Sequence, residues 1–225
     1  MSSTDTAEPT PILIEVWADV GCPWCYVGKH RLQHAIDARP DADRFEVKIR
    51  SFELNPDAPH TPESIESAFI RSHGGNAEVV LQAERGIQAL AQSEGLAFSL
   101  DRLNANTFDF HRVVQYAEEA GSGLEFFSRV QDRFFAGESN PFDAAALART
   151  ADEIGLSAER VREVLTSDEY ADAVRADVEE GRELGVRGVP FTVFDRRFAA
   201  SGAQSIEGYA RALETAVAEA PVGAG

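Results

Sequence analysis

Ile12-Leu13-Ile14-Glu15-Val16-Trp17-Ala18-Asp19-Val20-Gly21-Cys22-Pro23-Trp24-Cys25-Tyr26-Val27-Gly28 is the stretch on which the fold turns. Its first seven residues form a β-rich apolar run, the pattern of a buried strand. Asp19-Val20-Gly21 breaks the run. Pro23 then stands where a first helical residue is expected, because its missing N–H is no loss there. The helical pattern continues from Tyr26 to Ala38, and Arg39-Pro40 closes it. Phe45 to Phe52 alternates apolar and polar residues, which predicts a second strand. Together these make a β-α-β unit with a right-handed crossover.

Working outward, Asn55 to His60 reads as a loop, and the pattern is then helical from Thr61 to about Gly185. Thr61-Pro62-Glu63 has the order of N-cap, first helical residue and first-turn acid. Further helices are expected over 77–93, 109–120, 124–136, 143–154, 158–165 and 169–184. Phe126, Phe127, Val130 and Phe134 share one helical face and are expected in the core. Strand character returns only at 189–194 and 198–200, around the turn Asp195-Arg196-Arg197. A last helix follows from Ser205 to Ala220. The fold class is therefore α/β, in the order β-α-β, a long helical block, then β-β-α. Residues 11–58 and 186–220 would build a mixed sheet with a helix on each side. Residues 59–185 would be an all-helical insertion, residues 1–10 a disordered leader, and 221–225 a frayed tail.

The two cysteines of the chain stand three apart at a strand-to-helix junction. Two cysteines are no extracellular disulfide framework. One helical turn brings their sulfurs together, as dithiol exchange needs. Cys22 would sit at the helix N-terminus, where free N–H groups and the helix dipole favour a thiolate, the attacking species. Cys25, one turn inside, would resolve the mixed disulfide. Pro23 and Trp24 would tune the potential and face the substrate. Gly188-Val189-Pro190-Phe191 places a proline at a strand start. A cis bond there would offer the backbone of Val189 to a substrate peptide. By base rate alone, with about 5–6% of X–Pro bonds cis, a trans bond is expected.

Composition narrows the partners. The chain holds 38 Asp+Glu against 21 Lys+Arg, a net charge of −17. Such a surface repels nucleic acid and anionic lipid. No run of apolar residues is long enough for a transmembrane helix, and the N-terminus lacks the basic start and apolar stretch of a secretory signal. A cytoplasmic location is expected. Among the basic residues only Lys29 and Lys48 are lysines. This acidic, lysine-poor composition fits a halophile, and a GC-rich genome would also favour arginine.

From Asp19 to Lys29 the sequence resembles the FrnE-like branch of the DsbA family of thiol–disulfide oxidoreductases. The likeness extends through Asn106-Thr107-Phe108, His111-Arg112, Phe134 to Glu138, Gly185 to Phe191, and Ser201 to Gln204. It implies a thioredoxin fold with an inserted helical domain, Cys22 as nucleophile, Cys25 as resolving thiol, Val189–Pro190 cis, and no cofactor. Partners would be protein or small-molecule thiols and disulfides, glutathione among them. Many thioredoxin-like proteins also keep a buried acid that takes the resolving thiol's proton; Asp19 is the better candidate here, Glu15 the other. Three other readings fit parts of the sequence. A zinc site would draw its other ligands from His30, His34, His60, His73 or His111; His30 and His34 share one helical face, but it lies around the helix from Cys25 and does not converge with the cysteines. A glutathione-dependent isomerase or kappa-class transferase would share the fold, but would not need both cysteines. A binding module would use His111 and Arg112, which are more simply read as helix-surface or satisfied residues. If the composition reflects a halophile, the melting temperature should rise from low to molar salt. A thermal scan showing no gain would exclude that origin.

Overall fold

The computed structural model describes residues 11–73 and 76–220, so the expected leader and frayed tail lie outside the described residues. The chain opens with β1 (Ile12–Ala18), α1 (Pro23–Asp37) and β2 (Phe45–Ser51). It ends with β5 (Phe191–Phe194), β6 (Phe198–Ser201) and α9 (Ile206–Glu219). These strands form one sheet in the order β2-β1-β5-β6. β1 runs parallel to β2, with Ile12 opposite Phe45 and Ala18 opposite Ser51, and antiparallel to β5, with Ile14 opposite Phe194 and Trp17 opposite Phe191. β1 is thus central, and its residues are buried on both faces. Asp195 and Arg196 take positive φ values of 48° and 53° and turn the chain from β5 into β6. They are the two central residues of a tight turn closed by the Arg197 N–H donating to the Phe194 carbonyl at 3.0 Å, and positive φ at both is what such a primed turn needs.

α1 and α9 pack against each other and so share one face of the sheet. This corrects the expected helix on each side. The other face is closed by α8 (Ala171–Glu183), which lies between the two halves of the sheet in sequence. There the buried Trp17 indole donates from Nε1 to the Asp177 carbonyl at 2.8 Å. Charge reinforces the contact. Arg50 on β2 donates to Asp177 Oδ1 at 2.9 Å and also to Glu15, and Arg196 reaches Glu15 at 2.8 Å. Burial pushes the Glu15 carboxyl up, but its bonds to Arg196 and Arg50 outweigh this and hold it below the usual range.

Between the sheet halves lie β3 (Glu63–Ser64), α2 (Ile65–His73), α3 (Ala77–Ser93) and β4 (Leu103–Asn104). They are followed by α4 (Phe108–Glu119), α5 (Gly123–Ala136), α6 (Ala144–Glu153) and α7 (Ala158–Thr166). The Phe126, Phe127, Val130 and Phe134 stripe is buried, and Phe110 on α4 packs on Phe126 and Phe127. The segment is not helical throughout. Glu63 and Ser64 pair with Asn104 and Leu103 in a short antiparallel ribbon. Thr61 therefore caps no helix. Ser64 Oγ instead accepts the Ser67 N–H at 3.1 Å as α2 begins.

At Gly181 on α8 the layers are in close approach, for a Cβ there would lie 2.8 Å from Trp17 Cδ1 and Nε1. The indole is fully buried and bonded, so it has no room to yield. Gly181→Ala should destabilise by about 1–2 kcal/mol, the overpacking cost of about 1–3 kcal/mol exceeding alanine's helix advantage of up to about 1 kcal/mol. Equilibrium urea unfolding measures this. A midpoint equal to the parent's would mean that the layers have slack.

Candidate active site

Local backbone geometry brings the cysteines together. Cys22 is the N-cap of α1, with extended φ and ψ of −81° and 115°. A cap side chain accepts from the backbone two or three residues on. Cys22 Sγ accepts the Cys25 N–H at 3.3 Å. The second cysteine thus occupies the helix position that the cap addresses, and Pro23 fills the first turn without wasting a donor. Both thiols are free and buried, at 3% and 1% exposure. Trp24 projects outward with 43% exposure, while Pro23 is half-buried.

The far end of the chain completes the site. The Val189–Pro190 bond is cis, against the base-rate expectation and as the family resemblance implies. Cys22 Sγ donates to the Val189 carbonyl at 3.5 Å. α1 can come this close because residue 28 is glycine: a Cβ there would lie 3.1 Å from Pro190 Cγ and 3.3 Å from the Tyr209 hydroxyl. Cys22, Cys25, Val189 and Pro190 therefore converge, with Pro23 and Trp24 at the rim.

The two candidate acids are separated by their surroundings. Glu15 is engaged by Arg50 and Arg196, as described above. Asp19 lies behind the dithiol at 3% exposure. Its Oδ2 accepts from the Leu54 N–H at 2.8 Å and the Thr107 hydroxyl at 3.3 Å, and its Oδ1 from the Gly21 N–H at 3.3 Å. Its backbone carbonyl accepts from the Cys22 N–H at 3.2 Å and Gln131 Nε2 at 3.3 Å. Burial pushes the Cys25 thiol well above its usual range. The neighbouring Cys22 and the Asp19 carboxylate push the same way, while an Asp19 backbone hydrogen bond works against them.

His111 and Arg112 are not surface residues. Arg112 is buried and spends its guanidinium on the carbonyls of Val164, Ser167 and Glu169 and on Asp109. His111 is fully buried with no hydrogen-bond partner on either ring nitrogen among the described residues, which departs from the expectation of a satisfied side chain. Its Nε2 lies 3.7 Å from Asp19 Oδ1. Sequence reasoning missed this approach, and also the Gln131 and Leu54 contacts to Asp19. Only the Asn106 to Arg112 motif hinted that α4 reaches the site. Of the histidines weighed for zinc, His30 lies 2.9 Å from Asp132 Oδ1.

A family model described as the DSBA-like thioredoxin domain matches residues 13–214. A probable DsbA oxidoreductase from Streptomyces coelicolor is 40% identical and superposes with a TM-score of 0.83, over 92% of this chain and 91% of that one. Uncharacterized protein YwbO of Bacillus subtilis is 25% identical over 184 residues, 79% of this chain and 84% of its own. At the level of fold alone, the cytosolic disulfide reductase DsbM from Pseudomonas aeruginosa, in its structure with GSH, is 17% identical. It superposes with a TM-score of 0.60, over 92% of this chain and 99% of that one.

The contrast between the thiols is measurable. With Cys25 buried and its thiol raised, Cys25→Ser, which leaves Cys22, should react with iodoacetamide at pH 7 at least about tenfold faster than Cys22→Ser. Equal rates for the two variants would contradict the asymmetry.

Proposed function

The chain belongs to the family of DSBA-like thioredoxin domains, and from that premise we propose that it exchanges disulfides through Cys22 and Cys25. The observation that carries the reading is the capped dithiol, with Cys25 N–H and Val189 O both directed at Cys22 Sγ. In the reducing direction the Cys22 thiolate attacks a substrate disulfide. One substrate sulfur leaves and the other is held in a mixed disulfide with Cys22. Cys25 then gives up its proton and attacks Cys22 Sγ. The Cys22–Cys25 disulfide forms, the second substrate sulfur departs, and two electrons have passed from the dithiol to the substrate. Val189 and the cis Pro190, with Pro23 and Trp24 at the rim, would hold the substrate beside Cys22. Asp19 rather than Glu15 would take the Cys25 proton, because Glu15 is already committed to two arginines.

A thiol such as glutathione would return the disulfide to the dithiol; the GSH-bound DsbM of similar fold supports this choice. We place the protein in the cytoplasm and in the FrnE-like branch, on its composition and its motif residues. Among the described residues no helix is long and apolar enough to cross a membrane.

Equilibration with glutathione tests the reading. The Cys22–Cys25 couple should poise nearer thioredoxin's value of about −270 mV than an oxidant's of about −120 mV. Cys25→Ser should accumulate a mixed disulfide with glutathione and lose turnover. A Cys25→Ser variant that keeps full activity on a small substrate would mark a glutathione-dependent isomerase or transferase instead. Failure of the pair to form a disulfide at any potential would remove the central claim.

A further inference from the structure

His111 is the one buried histidine of the site that the mechanism above leaves unused. A fully buried imidazole with neither nitrogen bonded among the described residues is costly to keep, which favours a state in which it gains a partner. The polar atom in position to become that partner is Asp19 Oδ1, 3.7 Å from Nε2. That gap is just beyond hydrogen-bond length.

Its surroundings fix what the imidazole can serve. Asp19, on the loop after β1, approaches it directly. Glu53, past the end of β2, also faces it. Burial pushes the Glu53 carboxyl up; the nearby His111 lowers it, the Asn106 amide lowers it, Asp19 raises it and Arg182 lowers it. Phe110 meets the imidazole edge-on at 5.6 Å between ring centres. Asp19 already accepts bonds from Gly21, Leu54 and Thr107. A cavity of about 60 Å³ lies against Asp19, Gly21 and Thr107, large enough to admit water.

We propose that His111 is a positioning residue that shares with Asp19 the proton released by Cys25, so that the pair rather than the carboxylate is the acceptor. The inference rests on the assignment of Asp19 as that acceptor. In the resolving step the Cys25 S–H bond breaks and its proton passes to Asp19, bridging to His111 Nε2 as the short gap closes. The Cys25 thiolate forms the bond to Cys22 Sγ as the substrate sulfur leaves. The departing thiolate then takes the proton from the pair. Two buried groups sharing one proton titrate as a unit.

The test is the rate of resolution of the Cys22–glutathione mixed disulfide against pH, in the parent protein, His111→Gln and Asp19→Asn. The parent rate should fall as pH drops through the titration of the pair, because the protonated pair accepts nothing. His111→Gln should be about tenfold slower at pH 7 and should show its inflection at lower pH, the carboxylate then titrating alone. A folded His111→Gln with the parent's rate and profile overturns the shared proton. If Asp19→Asn is also unchanged, the acceptor assignment itself has failed; if Asp19→Asn alone is slow, Asp19 acts without its neighbour. Should His111→Gln not fold, the His111 ring resonance of the unmutated protein decides the matter. Its titration midpoint should differ between the dithiol and disulfide forms, and one midpoint common to both would overturn the proposal.

Discussion

The pairing of β1 with β5 is the contact on which everything else rests. β1 has one neighbour from its own β-α-β unit and one from the far end of the chain. A central strand buried on both faces must spend its backbone donors and acceptors on two partners. The N-terminal unit supplies only one. The chain must therefore return to close the sheet, and this return brings Val189 and Pro190 to the N-terminus of α1, where Cys22 waits. The meeting of Cys22 with Val189 and Pro190 follows from a strand-pairing requirement.

The intervening helices are more than an appendage. α8 covers the face of the sheet that α1 and α9 leave open, and Trp17, Gly181 and the Arg50 network show how tightly it does so. The same block reaches the site from behind. Thr107 and His111 approach Asp19 at the start of α4, and Gln131 holds its carbonyl from α5. Support for the dithiol is thus assembled from α4 and α5, which meet at one buried residue, Asp19.

Much of this was legible in the sequence, for identifiable reasons. β1 and α3 fall on their expected bounds because apolar runs and helical spacing are local signals. The two cysteines announced a site because their spacing is that of a cap and the residue it addresses. Non-local features were harder to read. Thr61-Pro62-Glu63 has every mark of a helix start, but Glu63 is taken by pairing with Asn104, distant in sequence. The burial of His111 depends on where α4 packs, which no local pattern encodes. The cis bond at Pro190 came from family likeness, since base rates opposed it. Which face each helix covers was likewise decided by packing between remote segments.

The chain's two tryptophans occupy opposite environments. Trp17 is sealed between β1 and α8, while Trp24 stands in solvent between the two cysteines. Indole emission responds to polarity and is quenched by neighbouring sulfur. The protein therefore carries two separate optical reporters. Burial would shift the emission of Trp17 to the blue, so that it would follow the joining of sheet and helices, and the half-exposed Trp24 would follow the oxidation state of the sulfurs on either side of it. Folding and redox chemistry can be watched in one sample without a label.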